Sequence, residues 1–438
     1  MTTPAATAPH PYRNEGHPGH TAVSGPQDRE VALGAQPPAK SRSHARPGDG
    51  HSPDAPDVLF VVRGRHDPPT HPGVIHGLDR MTEDGTLRGA STIPVDLDDA
   101  IDRNAAYWRS IVDHVRERQT EFVVLHHYHS PRLPDPRPGI ERLKSLPHRP
   151  LVALTNGDAW FEGFFRPKFP PMFLQAAEAA DAVFSTSMGM LADQIVDRAA
   201  GRIALLPNGT CQARFGDPPR ASPGRREFRV TFIGSSNRPR NPLRSSHWYS
   251  RHRERLVRRL SERFGTGFAV FGNGWHGVEG WQGPVPYEHQ HAACQRADLV
   301  IGGVPFSRAR YYMSDRTFNQ IASGVPFVDL AVEGVETILR DGEHWHLATS
   351  IEQLIDRCDD LLTRPASERE AFGAAAAEYV LERHTEEARC RSLLRTLESL
   401  RRSLLEGTPP PPPDLDFLLP EVDRAVELPL ATRGWAAG

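Results

Sequence analysis

Residues 311–347 read YYMSDRTFNQIASGVPFVDLAVEGVETILRDGEHWHL, and this stretch decides the fold. Its pattern predicts a short helix opening at Ser314 or Asp315, a small-residue break at Ser323-Gly324 and a buried strand from Val325 to Leu330. A glycine-containing loop (Glu333, Gly334) and a second helix (Val335 to Arg340) then close on the Asp341-Gly342 turn. Ser and Asp are good N-caps, and a helix's first turn leaves backbone N–H groups unpaired at the positive end of its dipole. The Ser314 end is therefore a seat for a phosphate. Arg316, inside that first turn, adds a planar fork of donors suited to a diphosphate. An equally simple reading pairs Arg316 with Asp315 or Glu333 on the surface and leaves the helix structural.

Strands and helices alternate outward from this stretch. FRVTFIGSS (228–236) is a strand running into Gly234-Ser235-Ser236. HRERLVRRLSERFG (252–265) is a helix with Leu256, Val257, Leu260 and Phe264 on one face and arginines on the other. FAVFGNGW (268–275) and ADLVIGG (297–303) are further strands, with a helix near Glu288 to Ala297 between them. Towards the N-terminus, DVLFVV (57–62), FVVLHHYH (122–129), PLVALTNGDAW (150–160), AVFSTS (182–187) and IALLPNG (203–209) are apolar runs suited to a parallel sheet buried on both faces. A helix from about Leu97 to Arg118 lies among them. Such alternation predicts doubly wound α/β domains, whose ligands bind off the C-terminal strand edges. Polar clusters lie at those edges: Gly234-Ser235, Asn156-Gly157-Asp158, and His126, His127 and His129. A Pro/Gly/Arg-rich stretch between Cys211 and Arg226 marks a boundary, giving domains at 57–215 and 226–405. Residues 1–55 are poor in aromatics and read as a disordered tail, and 406–438 as a Pro-rich linker and tail.

The elements Arg316, Phe318, Ala322, Gly324, Val325 to Val328, Gly334, Glu336, Asp341 and Gly342 resemble the donor half of GT-B glycosyltransferases, closest to the group-1, spore-maturation-protein-like branch. The resemblance implies two Rossmann-like domains facing a cleft, an N-terminal one for the acceptor and a C-terminal one for a nucleotide-diphosphate sugar. It implies donor contacts from Gly234, Ser235, Arg238, Arg240, Ser314, Arg316, Asn319 and Glu336, and a retaining reaction without a required metal or cofactor. It also implies a closing helix after the His384-Thr385 pair that crosses back onto the first domain. The chain departs from the family at Asn319, where the family carries a glutamate that accepts from the donor ribose, and at Tyr311, the place of a second glutamate. An amide can bond a hydroxyl but carries no charge. A non-hydrolysing nucleotide-sugar epimerase shares this architecture, and a degenerate transferase acting as a scaffold is the non-enzymatic rival.

In the first domain, His127 and Asp158 are the candidate general bases, being polar groups at a strand edge. Strand alternation places His127 and His129 on one face and His126 on the other, and no H-E-x-x-H pattern follows, so no metal is expected.

The whole chain narrows the partners. Among 438 residues, 52 Lys+Arg nearly balance 55 Asp+Glu, for a formal charge of −3. No basic field points to nucleic acid or anionic membrane. Cys211, Cys294, Cys358 and Cys390 are widely spaced, as small buried thiols of a reduced, cytoplasmic chain would be. No run of 18 apolar residues encodes a membrane span. The expected partners are a nucleotide-diphosphate sugar and a small-molecule or glycan acceptor.

Overall fold

The computed structural model describes residues 42–44, 55–64, 70–95, 101, 104–128, 132–157, 168–196, 202–216, 226–236, 241–303, 309–433 and 435. The expectations for most of the N-terminal tail, and for His129, Asp158, Arg238 and Arg240, lie outside the described residues.

The first sheet has eight strands in the order β1-β3-β2-β4-β5-β6-β8-β15. These are β1 (Arg42–His44), β2 (Asp57–Arg63), β3 (Gly89–Val95), β4 (Phe122–His126), β5 (Leu151–Thr155), β6 (Ala182–Ser185), β8 (Ile203–Leu205) and β15 (Thr432–Arg433). Its six inner strands pair in parallel, and β1 and β15 close the edges antiparallel. Residues 58–62 of β2 are all buried, as a strand covered on both faces requires. Sequence reading missed β3, GASTIPV, because Ser91, Thr92 and Pro94 dilute its apolar run, yet every one of its residues is buried.

The second sheet is wholly parallel, in the order β10-β9-β11-β13-β14. It contains β9 (Phe228–Ile233), β10 (Phe268–Phe271), β11 (Ala297–Ile301), β13 (Phe327–Leu330) and β14 (His346–Ala348). A short antiparallel ribbon, β7 (Met188–Gly189) with β12 (Ala309–Arg310), links a segment of each half. Both halves are mixed α/β with parallel sheets and flanking helices, the GT-B arrangement that the resemblance implied.

The helices are α1 (Pro72–Glu83), α2 (Asn104–Arg118), α3 (Arg137–Lys144), α4 (Pro171–Ala179), α5 (Met190–Val196), α6 (Gln212–Phe215), α7 (Ser245–Phe264), α8 (Gln290–Gln295), α9 (Asp315–Ile321), α10 (Ile351–Thr363), α11 (Ala366–Arg383), α12 (Glu386–Glu406) and α13 (Arg424–Ala431). The helix expected from Ser314 or Asp315 is α9, with Ser314 at its N-cap. Several expectations change at their ends, three of them for a visible reason or with a change of type. The strand expected through residue 129 stops at His126, because His127 adopts a left-handed φ of 51°. The strand expected through Trp275 stops at Phe271, where Gly272 takes a φ of 135°. The second helix of the opening stretch is a single 3-10 turn, Val335–Thr337.

α12 packs on the first sheet. Thr385 caps it by accepting from the Ala388 N–H at 3.1 Å. Cys390, Leu393, Leu394, Leu397 and Leu400 are then buried with Val58, Phe60, Val62 and Phe122. Each such aliphatic side chain contributes about 1.5–3 kcal/mol by leaving water. The tail follows: Phe417 and Leu418 enter the core, β15 extends the sheet, and the Trp435 indole donates to the Pro411 carbonyl at 2.7 Å. All four cysteines are buried free thiols. Among the described residues no helix is long and apolar enough to cross a membrane.

Candidate functional site

At the C-terminal edge of the second sheet, a cavity of about 260 Å³ is lined by Phe232, Ile233, Gly302, Gly303, Ser314, Arg316, Thr317, Asp329 and Arg253, among others. The strand ends supply its floor and α9 one wall. Ser314 has the extended backbone of an N-cap (φ −73°, ψ 159°), but its hydroxyl makes no capping bond. Gly234 is closely packed here: a Cβ would lie 3.1 Å from an Arg316 guanidinium nitrogen and 3.0 Å from the Phe232 ring. The Ser235 hydroxyl accepts from the Asn273 N–H at 3.1 Å, tying the two strand-end loops together.

Two arginines set the electrostatics. The surface partners considered for Arg316 are engaged elsewhere, Asp315 accepting from the Tyr287 hydroxyl and Glu333 pairing with Arg310. Arg253, midway along α7, donates to the Ser235 carbonyl at 3.1 Å, while its Nε is buried with no partner among the described residues. Burial, and then the charge of Arg316, pull the Arg253 guanidinium down to about 10. Asp329 supplies one opposing charge. Two like charges held beside each other in a half-buried cavity are relieved by an anion. α9 has only seven residues, so the guanidiniums, more than its dipole, provide the positive field.

Sequence reading placed Arg253 on the solvent face of its helix. Helical spacing held the contrary signal: Arg253, Leu256, Val257 and Leu260 stand at i, i+3, i+4 and i+7, one stripe, and the last three are fully buried.

Asn319 does not line this cavity. It is 1% exposed; its Oδ1 accepts from Thr210 Oγ1 (2.9 Å) and the Cys211 N–H (3.2 Å), and its Nδ2 donates to the Tyr287 hydroxyl at 2.5 Å. It thus joins α9 to the segment that leaves the first sheet. Tyr311, at the other departure from the family pattern, is a core residue with a φ of 63°, its ring so close to Gly334 that a Cβ there would lie 2.5 Å away. Gly334 itself has a φ of 90°, so glycine is required twice over. Glu336 stands exposed on the 3-10 turn. Tyr287, considered as a stacking platform for a base, has the Arg214 guanidinium 4.8 Å above its ring.

The first sheet's C-terminal edge lies close by. Asn208 Nδ2 donates both to the Gly157 carbonyl (3.2 Å) and to the Met313 carbonyl (3.0 Å), so one side chain spans the two strand-edge regions. A cavity of about 490 Å³ there is lined by His126, His127, Thr155, Asn156, Asn208 and Glu386, with Phe60, Val74 and Leu393 as apolar walls. His126 and His127 stack with centroids 4.0 Å apart rather than facing opposite ways, because the left-handed turn at His127 leaves the strand pleat. His126 Nδ1 lies 3.0 Å from Thr155 Oγ1. The His127 ring is packed against Gly157, where a Cβ would fall 2.2 Å from Cε1. His71, which sequence reading did not single out, sits 5.0 Å from both rings, and burial pulls its imidazole down to about 4. Burial and the nearby Asp315 push the Glu386 carboxyl up to about 7.

His384 is fully buried, stacked 5.4 Å from Phe318 and bonded to an Arg389 nitrogen at 2.7 Å, a packing role.

Residues 251–395 match the model of a family described as glycosyl transferase-like. That stretch includes Arg253, Ser314, Arg316, Asn319 and Glu336. Among solved structures, a glycosyltransferase from Rickettsia africae ESF-5 aligns over 80% of this chain and 99% of its own, at 13% identity and a TM-score of 0.51. The α,α-trehalose 6-phosphate synthase from Burkholderia multivorans aligns over 81% of this chain and 98% of its own, at 12% identity and a TM-score of 0.52. Identities this low establish the fold. No curated protein matches the chain.

Proposed function

We propose that this chain is a glycosyltransferase that moves a sugar from a nucleotide-diphosphate donor to a hydroxyl-bearing acceptor. The observation that carries the reading is the convergence of Arg253 and Arg316 on one cavity at the second sheet's C-terminal edge, with no carboxylate bridging either among the described residues. The glycosyl transferase-like match over 251–395 supports it. So does the resemblance of the 316–342 pattern to the spore-maturation-protein-like branch.

In this reading the donor diphosphate lies against Arg253, Arg316, Gly234, Ser235 and Ser314, with Arg238 and Arg240 following the same loop and Glu336 reaching the nucleoside. Asn319 acts at one remove, by fixing α9 and Tyr287. As the sugar–oxygen bond breaks, charge develops on the leaving diphosphate, and fixed guanidiniums stabilise it without reorganising. A divalent ion at the diphosphate is then not required, and the family resemblance assigns retention at the anomeric carbon. The acceptor lies at the first sheet's edge, with His127 and Asp158 as the groups that accept its proton.

Thermal melting against UDP, GDP and dTDP, without and then with Mg²⁺, tests the donor site. A nucleotide at a hundred times its dissociation constant adds about 2.7 kcal/mol. The expected result is a raised midpoint for one nucleotide without metal, with the stabilisation cut to about a third in Arg316→Ala. A panel in which no nucleotide shifts the midpoint would overturn the reading.

A further inference from the structure

The histidine cluster at the first sheet's edge is not explained by diphosphate binding. His71 stands 55 residues before His126 in the sequence, and the three rings meet only in the fold. β4 ends at His126, the left-handed turn places His127 beside it, and His71 arrives as the N-cap of α1, making no side-chain capping bond. One ligand atom from each of His71, His126 and His127 lies within 4.8 Å of the other two. We propose that these three imidazoles bind one divalent transition-metal ion of the zinc class, with its remaining coordination position open to the adjoining cavity.

Zinc–nitrogen bonds of about 2.0–2.1 Å in a tetrahedral site separate the ligand atoms by about 3.4 Å, so closure needs ring shifts of about 1 Å and rotation of the stacked His126 and His127 rings out of their near-parallel planes, so that both lone pairs meet at the ion. Side-chain torsions supply such shifts without moving the sheet. Two of the rings already have the outer partners that orient metal-binding histidines: Thr155 Oγ1 at His126 Nδ1 (3.0 Å) and the Arg63 backbone at His71. The backbone strain at His127, held by Gly157 against its ring, is the kind that surrounding structure maintains at functional positions. All three residues are partly exposed, giving an ion a way in. Three nitrogen ligands and a fourth open position suit zinc, cobalt, nickel or copper, and not magnesium or calcium, which prefer oxygen. Arg63 and Arg214 place positive charge near His71, partly offset by Asp315, so the imidazoles and not a negative field set the affinity. The fourth ligand from the cavity is water or a hydroxyl of a small molecule. With the ion bound, His127 has no free lone pair, and Asp158 is the group left to accept the acceptor's proton.

The test is titration of the chelator-stripped full chain with Co²⁺ and Zn²⁺, followed by the visible spectrum of cobalt and by calorimetry, with no nucleotide present. The N-terminal histidines are the competing sink, so a second protein carries Gln at positions 10, 17, 20 and 51. We expect one ion per chain in both proteins, with the intense visible bands of four-coordinate cobalt. His71→Asn and His127→Asn each weaken binding at least tenfold. Asparagine caps helices well and tolerates a left-handed backbone, so both variants keep the fold, which far-UV circular dichroism verifies. Absence of uptake, loss of uptake with the N-terminal replacements, or wild-type affinity in either Asn variant would each overturn the proposal. None of these outcomes bears on nucleotide binding, so the donor reading stands or falls separately.

Discussion

The two strand-edge cavities were built from opposite electrostatic material. The edge of the second sheet keeps charge: Arg253 and Arg316 line one cavity, and burial, followed by the charge of Arg316, lowers the Arg253 guanidinium. The edge of the first sheet removes charge. Burial drives His71 towards its neutral form and Glu386 towards its protonated form, and the apolar walls are Phe60, Val74 and Leu393. A polyanion gains from the first kind of site and loses in the second. The difference favours the proposed placing of a donor's charged half at the second sheet, with neutral hydroxyl chemistry, or a metal ion held by neutral imidazoles, at the first.

Asn319 joins the two regions and gives the largest expected effect. Asn319→Ala leaves the buried Cys211 N–H and Thr210 hydroxyl without their acceptor, while the Tyr287 hydroxyl keeps Asp315. Buried unsatisfied groups cost about 1–3 kcal/mol each, so chemical denaturation is expected to show a loss of about 3 kcal/mol. If nucleotide affinity collapses instead while stability holds, Asn319 contacts the donor directly and the comparison loses its seam. Next comes Arg316→Ala, which is expected to weaken nucleotide binding about 30-fold, the worth of a charge-assisted contact near 2 kcal/mol. Stability of the unliganded protein should hold or rise, because the like charge beside Arg253 is gone. A stability loss with unchanged nucleotide affinity would make Arg316 structural.

These contrasts were only partly legible in the sequence. α9 and its Ser314 cap were readable because caps and short apolar runs are local signals. The parallel strands were readable because burial on both faces leaves continuous apolar runs, and β3 was lost where two hydroxyl residues and a proline interrupted one. Arg253 was misplaced because a charged residue on an apolar stripe looks like an exception until the anion-sized cavity in front of it is seen. The pairing of His126 with His127 was unreadable, since alternation holds only while the chain stays in the pleat, and His127 leaves it. Asn319 and Tyr311 were legible as departures from a family pattern, but their burial, which turns both into packing residues, depends on tertiary contacts with Thr210, Tyr287 and Gly334.

The first edge can be tested through its pH response. The Glu386 carboxyl is raised from 4.5 to about 7 in the folded chain, chiefly by burial and then by Asp315. Between those values the folded protein keeps a proton that the unfolded chain releases, so rising pH costs stability through this window. His291 and His346 run the other way. Burial lowers each from 6.5 to about 4, the unfolded chain binds the extra protons, and stability is lost as pH falls through that range. The slopes partly cancel in the wild type. Glu386→Gln removes one of them, so its stability is expected to climb more steeply from pH 4.5 to 6.5 and to exceed the wild type by about 1–2 kcal/mol at pH 8. Urea midpoints measured across that range decide it. A variant that parallels the wild type would mean that Glu386 is ionised in the fold and that the first edge does not suppress charge.

The smallest effect is expected at Glu336, and it sharpens the comparison from the other side. Its side chain is exposed on a 3-10 turn, with no ion pair among the described residues, so Glu336→Gln should change stability by less than about 0.5 kcal/mol. Its value lies in what the residue adds to a site dominated by positive charge. If Glu336 accepts a hydrogen bond from a ribose hydroxyl, the neutral amide keeps the bond and loses only its charge assistance, a change of about 1 kcal/mol and roughly fivefold in nucleotide affinity. If Glu336 merely faces the bound diphosphate, removing its negative charge should tighten binding slightly. Calorimetry with the nucleotide that melting identifies separates the two by the sign of the change. Weakening places the nucleoside against the 335–337 turn, with the arginines holding the diphosphate; tightening places the nucleoside elsewhere and leaves the two arginines as the determinants of the site.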